Sequence, residues 1–237
     1  MNGNIVEERL VYLSPEEFAL LMELTGSTDY KLYFLESDLV NERLDSSRLT
    51  KAFGDLYKRG FIERTKTGFI LGPNAKFISD IAHTTHIVHF ESGNCKCAAV
   101  LLYVCRAMIW RIEVLCGNLA ERYRIGMLKK NKLSKWLFES GILRQPRLTD
   151  EDMKFLCSSD TIEEAANSDA PDMLRITIYD SFGNQIAAYK VSDSAIGTIL
   201  CHSDSGLCTE YYTQEALDRL LMICLCPEQL ETNISAR

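Results

Sequence analysis

The chain repeats one pattern of secondary structure. Residues 109–141 show two apolar strands, a polar turn and an amphipathic helix, and residues 196–226 show the same order. Alternation of apolar and polar residues is typical of a strand, and apolar residues spaced by three and four are typical of a helix. A hairpin that leads into a helix in both halves predicts an α+β fold. We expect a pseudo-two-fold body of antiparallel sheet with helices, built from two similar halves.

The predicted organisation has two halves in one compact domain. The N-terminal half covers residues 1–147 and the C-terminal half covers residues 173–237. An acidic connector, residues 148–172, joins them, and the pattern leaves open whether 157–172 orders on binding. Residues 97–107 are almost wholly apolar, so periodicity does not decide between helix and strand there.

Composition favours a cytoplasmic protein without a membrane span. No apolar run reaches the roughly 18–20 residues that a spanning helix needs. The first ten residues, MNGNIVEERL, have neither a basic start nor an apolar stretch, so they do not resemble a signal peptide. The nine cysteines are odd in number and lie mostly in apolar segments, which is typical of small buried side chains in a reducing compartment.

The sequence contains no familiar catalytic motif. It lacks a G-x-S-x-G elbow, a P-loop, a G-x-G-x-x-G turn and an H-E-x-x-H helix. Cys201 stands beside His202, but neighbours on a strand point to opposite faces. We therefore expect no catalytic residue, no cofactor and no enzyme activity.

A metal site is also not expected. His83, His86 and His89 are spaced by three, but this stretch reads as a strand toward its end. One residue separates Cys95 from Cys97, whereas two residues separate the cysteines in the C-x₂-C spacing of zinc sites. Solvated or hydrogen-bonded histidines are the simpler interpretation.

Charge is spread unevenly along the chain, which carries a formal net charge of −7. Residues 148–237 hold sixteen acidic side chains against five basic ones, whereas residues 121–147 hold eight basic side chains against two acidic ones. An acidic total argues against non-specific nucleic-acid binding but leaves room for a local basic face.

Residues 46–73 form a winged-helix-like segment. A helix that ends at Gly60 leads into a hairpin whose turn falls near Gly68. Such a unit can place a helix in the major groove and a wing on phosphate, or serve only for packing and protein contacts. The predicted DNA-binding residues under the first interpretation are Arg48, Lys51, Lys58, Arg64 and Lys66.

Local signals define the helices that precede this hairpin. Ser14 and Glu17 form a capping box for a helix that starts at Pro15. The helix that follows residue 45 has a predicted apolar stripe made of Leu49, Phe53, Leu56 and Tyr57.

Two strands predict a partly polar sheet face. Arg111 and Glu113 alternate with apolar neighbours, and the same alternation recurs in residues 173–191. A polar face that carries an aromatic side chain could receive an amphipathic helix, although antiparallel sheets often have one solvated face. The predicted partner-binding residues are Arg111, Glu113, Arg175, Thr177 and Tyr179. In the second strand the predicted buried residues are Leu174, Ile176 and Ile178. After the turn the apolar pattern continues with Ile186, Ala188 and Val191, together with Tyr189.

The order of elements resembles the EspG family of type VII secretion chaperones. Residues 14–26, SPEEFALLMELTG, resemble the helix ending in Gly that opens that family. Residues 56–61, LYKRGF, resemble its L-x-x-R-G-hydrophobic segment, and residues 180–186, DSFGNQI, resemble its D-x-x-G hairpin. The joint order, with two pseudo-symmetric strand–hairpin–helix halves in 87–141 and 173–226, carries the resemblance.

The resemblance implies a cytosolic chaperone or adaptor that keeps a helical secretion substrate soluble, with no cofactor. It implies no individual binding residue. The alternative hypothesis is a winged-helix transcription regulator with a C-terminal α/β domain, and only this alternative involves nucleic acid. The sequence leaves the oligomeric state and the identity of the partner open.

Overall fold

The computed structural model describes residues 10–26, 46–91, 99–115, 122–146, 172–194, 197–202 and 208–227. Within these residues the chain is a mixed α+β protein with antiparallel strands and five α-helices, as predicted. No helix in these ranges is both long and apolar enough to cross a membrane. The connector at 148–171 and the pair Cys95 and Cys97 lie outside the described residues.

The chain divides into two compact units. The first contains Met1–Ile87, Val100–Lys129 and Ser181–Gly183, and the second contains Val88–Ala99, Lys130–Asp180 and Asn184–Arg237. The predicted division at residues 147 and 173 stays a prediction.

The first unit holds strands in the order β1-β7-β6-β5. Strands β5, β6 and β7 are the longer ones. The short strand β1 pairs antiparallel with β7, with Val11 opposite Ile125. Strand β6 also pairs antiparallel with β7, with Ile112 opposite the same Ile125. Residues 97–107, ambiguous in the sequence, therefore contain a strand. The bounds are β1 Val11–Leu13, β5 Ala99–Val104, β6 Ile109–Leu115 and β7 Arg122–Leu128.

Helices and a small hairpin complete this unit. Ser14 caps α1 as predicted, because its Oγ accepts a bond from the Glu17 amide while the Glu17 carboxylate accepts one from the Ser14 amide. The hairpin β2–β3 forms where its turn residues predict it, with Arg64 opposite Phe69. The bounds are α1 Pro15–Glu23, α2 Ser46–Lys58, β2 Ile62–Arg64, β3 Phe69–Leu71, a 3-10 turn Pro73–Ala75 and α3 Lys76–Ala82.

The core of the first unit lies between these helices and one face of the sheet. Phe18 is fully buried and stands edge-on to Tyr123, with ring centroids 5.9 Å apart. Trp110 packs on Phe77 at 5.5 Å and donates to the Asp80 carboxylate at 3.3 Å. Burial of large apolar side chains of this kind is the main source of stability in such a unit.

The second unit holds strands in the order β4-β8-β9-β10-β11. His86 and Ile87, the first two residues of β4, belong to the first unit. Both predicted hairpin-plus-helix repeats are formed. In the first, β6, β7 and α4 follow one another, and in the second, β10, β11 and α5 do. The bounds are β4 His86–Glu91, α4 Leu133–Glu139, β8 Asp172–Asp180, β9 Gln185–Ser194, β10 Gly197–His202, β11 Cys208–Tyr211 and α5 Gln214–Leu225.

The apolar residues of β9 do not all lie on its buried face. Ala187 is buried, whereas Ile186 is exposed and Ala188 is half-buried. At Ile186 there is a register shift: Ile178 pairs with Ala187 and Tyr179 pairs with Gln185, so Ile186 has no partner, whereas Ala188 pairs in register with Thr177. A bulged residue breaks the alternation that the sequence pattern assumes.

Candidate functional site

Arg111 and Glu113 do not lie on a solvated sheet face. Their exposed fractions are 7% and 3%, so the prediction that they form an open docking surface was wrong. Strand β6 lies between β5 and β7, and residues 111–113 are buried on both faces. Alternation identifies a wet face only where one side of a sheet is open, and β6 has no such side at this point.

These two side chains belong to a buried charge network. The Arg111 Nε lies 3.2 Å from Glu113 Oε1, and Arg124 on the paired strand contacts Glu113 Oε2. Arg124 stands directly opposite Glu113 in the register of β6 and β7. A carboxylate held between two guanidinium groups has a structural role here, since water and partners reach it poorly.

The three partner-binding residues predicted on β8 differ in their exposure. Thr177 is buried, so its placement on an open face was also wrong. Tyr179 is half-buried, and Arg175 is exposed and lies 3.9 Å from Glu91 on β4. Strand β8 runs between β4 and β9, and Ile176 and Ile178 on its other face are fully buried.

Burial lowers the pKa of His89, which lies near Arg175 and Glu91, below its usual value. The nearby Glu91 carboxylate raises the pKa and opposes this effect, while Arg175 lowers it further. Burial therefore favours the neutral form of the His89 imidazole.

The five predicted DNA-binding residues lie on α2 and on the β2–β3 hairpin, and all are exposed. Two of them are next to carboxylates: Arg48 lies 3.5 Å from Glu16, and Lys58 lies 4.0 Å from Asp55. Lys51 follows on the same helix, and Arg64 and Lys66 lie on the hairpin. The structure brings the five together in one helix–hairpin element.

This element also carries three aromatic side chains that reach solvent wholly or in part, which we call the aromatic surface: Phe53, Tyr57 and Phe69. Tyr57 is 52% exposed and Phe69 is 40% exposed, while Phe53 is half-buried. Phe53 and Phe69 stack edge to face with centroids 4.7 Å apart. Tyr57 follows Phe53 by one helical turn, so the two lie on the same side of α2.

Two of these residues belong to the apolar stripe predicted for α2. Within that stripe only Leu56 is fully buried, and Tyr57 is the most exposed member. The buried line of α2 runs through Ala52 and Leu56 instead. The apolar stripe of α2 is wider than the part of the helix that packs on the core, so its outer edge is exposed to solvent. The width of the stripe was the feature of the sequence that could have indicated this exposure.

Tight backbone geometry fixes the hairpin against α2. Gly60 ends the helix with φ +70°, and the Phe61 amide donates to the Leu56 carbonyl at 2.9 Å. The Gly72 amide donates to the Phe61 carbonyl at 2.7 Å, and a Cβ on Gly72 would lie 2.4 Å from the Gly60 oxygen. The aromatic surface is therefore presented on a rigid support.

Arg59 ties the same support to β1 and α1. Its guanidinium donates to the Tyr12 carbonyl at 2.6 Å and to the Glu17 carboxylate at 2.8 Å. It also lies over the Phe61 ring, 4.7 Å from the centroid. The carboxylate that completes the α1 capping box thus also holds the end of α2.

Two cysteines of the second unit, Cys201 and Cys224, are buried. Burial raises the pKa of the Cys224 thiol to about 12, and burial also raises the pKa of Cys201. A raised pKa disfavours the thiolate, which is the nucleophilic form. Among the described residues, no group of three or more His, Cys, Asp or Glu side chains is arranged to hold a metal ion.

Comparison with protein-family models and with curated proteins finds no match to this chain.

Proposed function

We propose that the chain is a chaperone or adaptor that binds a helical partner protein through the aromatic surface. The observation that carries the proposal is a cluster of aromatic side chains, from a helix and a hairpin, that is solvent-exposed on a rigid support. Tyrosine and other large aromatic residues supply much of the binding energy at protein interfaces. Their exposure in the isolated chain is costly unless a partner covers them.

Charge next to the aromatic surface favours a partner with acidic residues. Arg64 is the cross-strand neighbour of Phe69, and Lys66 lies in the turn of the same hairpin. Both side chains are exposed. An amphipathic helix that carries an apolar stripe bordered by Asp or Glu would match this arrangement.

The resemblance to secretion chaperones supports the same proposal. Under it the partner is a helical secretion substrate, the complex forms in the cytoplasm, and the two halves are related by a pseudo-two-fold axis. Each of these remains a proposal. The part of the fold that supports it is the succession of hairpin and helix in both 109–139 and 197–225.

The second candidate is DNA binding by residues 46–73. The observation that favours it is a helix followed at once by a two-stranded hairpin, with Lys51, Arg64 and Lys66 exposed. Glu16 and Asp55 next to Arg48 and Lys58 weaken it, because carboxylates at these positions repel phosphate.

Co-expression tests the proposal. The tagged chain is produced together with each small helical protein encoded beside its gene and is purified by its tag. The molar ratio of the co-purified helical protein to the tagged chain is then measured. We expect one such protein to be retained, and the variant Tyr57→Ser/Phe69→Ser to bind it at least tenfold more weakly, as expected for the loss of interface aromatics. The control is Met222→Ser, which removes an exposed apolar side chain from α5.

Two outcomes would overturn it. One is retention that is equal in the double variant and in the wild type. The other is failure to retain any of these proteins while the chain binds duplex DNA with a steep salt dependence that Arg64→Gln reduces, which would establish the DNA-binding alternative.

A further inference from the structure

A cleft of about 520 Å³ lies in the first unit, where β1 and α1 meet α2. This volume falls within the range of small-molecule sites. The cleft is on the opposite side of α2 from the aromatic surface, since residues advance by about 100° per position along a helix. Its lining residues on α2 and just after it are Arg48, Lys51, Ala52, Asp55, Lys58 and Arg59.

Each acidic side chain among the described residues of the cleft has a basic partner. The carboxylates come from the first turn of α1 and from the middle of α2. The pairs are Glu16 with Arg48 at 3.5 Å, Glu17 with Arg59 at 2.8 Å and Asp55 with Lys58 at 4.0 Å. The acidic groups are thereby neutralised within the cleft.

Two further cations line the same cleft. These are Lys51 on α2 and Arg122 at the start of β7, and both are exposed. Within the described ranges no carboxylate lies within ion-pair distance of either. The phenol of Tyr12, which is 45% exposed, adds a hydrogen-bond donor to the lining. The described residues that line the cleft therefore carry a surplus of two positive charges.

We propose that this cleft binds a small soluble ligand that carries at least two oxyanion charges. Arg122 offers a planar fork for two oxygens of one phosphate or carboxylate group, and Lys51 offers a mobile point charge for a second. Clefts with a surplus of one charge sign concentrate ligands of the opposite sign. This site is separate from the aromatic surface, and its occupation does not depend on the partner protein.

Thermal unfolding in the presence of two probes tests this site. Pyrophosphate represents a phosphate ligand and citrate represents a polycarboxylate, each titrated at constant ionic strength. We expect a saturable rise in the unfolding temperature with at least one probe, and the stronger effect identifies the class of oxyanion. Lys51→Gln and Arg122→Gln should each weaken apparent binding about tenfold, as expected for the loss of one charge-assisted contact.

The control variant is Arg64→Gln/Lys66→Gln, which removes two exposed cations outside the cleft and should bind both probes as the wild type does. The proposal is overturned if neither probe gives a saturable effect, or if Lys51→Gln and Arg122→Gln bind as the wild type does. Equal weakening in the control variant would also overturn it, because that result indicates diffuse attraction to positive charge. Both positions are exposed, so the unfolding temperature without probe should be unchanged in all variants.

Discussion

Replacing Glu113 with alanine is expected to lower the free energy of unfolding by about 3–5 kcal/mol. The substitution leaves the buried Arg111 without the carboxylate at 3.2 Å and removes the contact of Arg124. A buried charge that loses its counter-charge keeps the cost of its lost hydration. Urea unfolding followed by circular dichroism measures the change.

The matched control is Glu63→Ala on the exposed hairpin strand β2, which should change the free energy by less than about 0.5 kcal/mol. The double variant Arg111→Met/Glu113→Leu should recover part of the loss, since it also removes the buried guanidinium that the single variant leaves without the Glu113 carboxylate. A Glu113→Ala variant as stable as the control would show that water reaches this network and would contradict its structural role.

Replacing Phe18 with alanine should destabilise the chain by about 3–5 kcal/mol. Phe18 is fully buried, contacts Tyr123 across the core, and lies beside Leu21 and Met22, which are also fully buried. Truncation removes apolar area from the core and leaves a cavity that rigid neighbours fill poorly. The same urea titration measures this loss.

Phe69→Ala is the informative comparison for Phe18→Ala. Phe69 is 40% exposed, so its truncation should cost about 1 kcal/mol or less, while it should weaken partner binding. Similar losses of stability in the two variants would mean that the hairpin contributes to the core as much as α1 does, which contradicts the assignment of Phe69 to a binding surface.

Local signals in the sequence were sufficient where short-range chemistry decides the structure. Ser14 and Glu17 predicted the start of α1, and the glycine-containing turn at Gly68 predicted the β2–β3 hairpin. Gly60, which ends α2 with a positive φ, belongs to the same class. In each case the residue type and its hydrogen bonds act within a few positions of the chain.

Burial was harder to predict, because it depends on what covers each face of a strand in the folded chain. The alternation around Arg111 and Glu113 resembles that of a strand with one wet face, but β6 has a neighbour on each side and is buried on both faces there. The bulge at Ile186 likewise depends on the register with β8, which no local pattern encodes.

The candidate site was found only in part from the sequence. The basic residues of 46–73 were recognised from their clustering, while the exposure of Tyr57 was missed because helical spacing makes a core residue and an interface residue look alike. The cleft beside Lys51 was not accessible to this reasoning, since Arg122 comes from a strand distant in sequence.

Hydrogen–deuterium exchange of the chain alone and with its co-purified helical partner tests the central claim most directly. The account predicts slower exchange on binding in residues 53–71, where the aromatic surface and its hairpin lie, with little change in residues 172–194. Protection confined to 172–194, with unchanged exchange in 53–71, would contradict it.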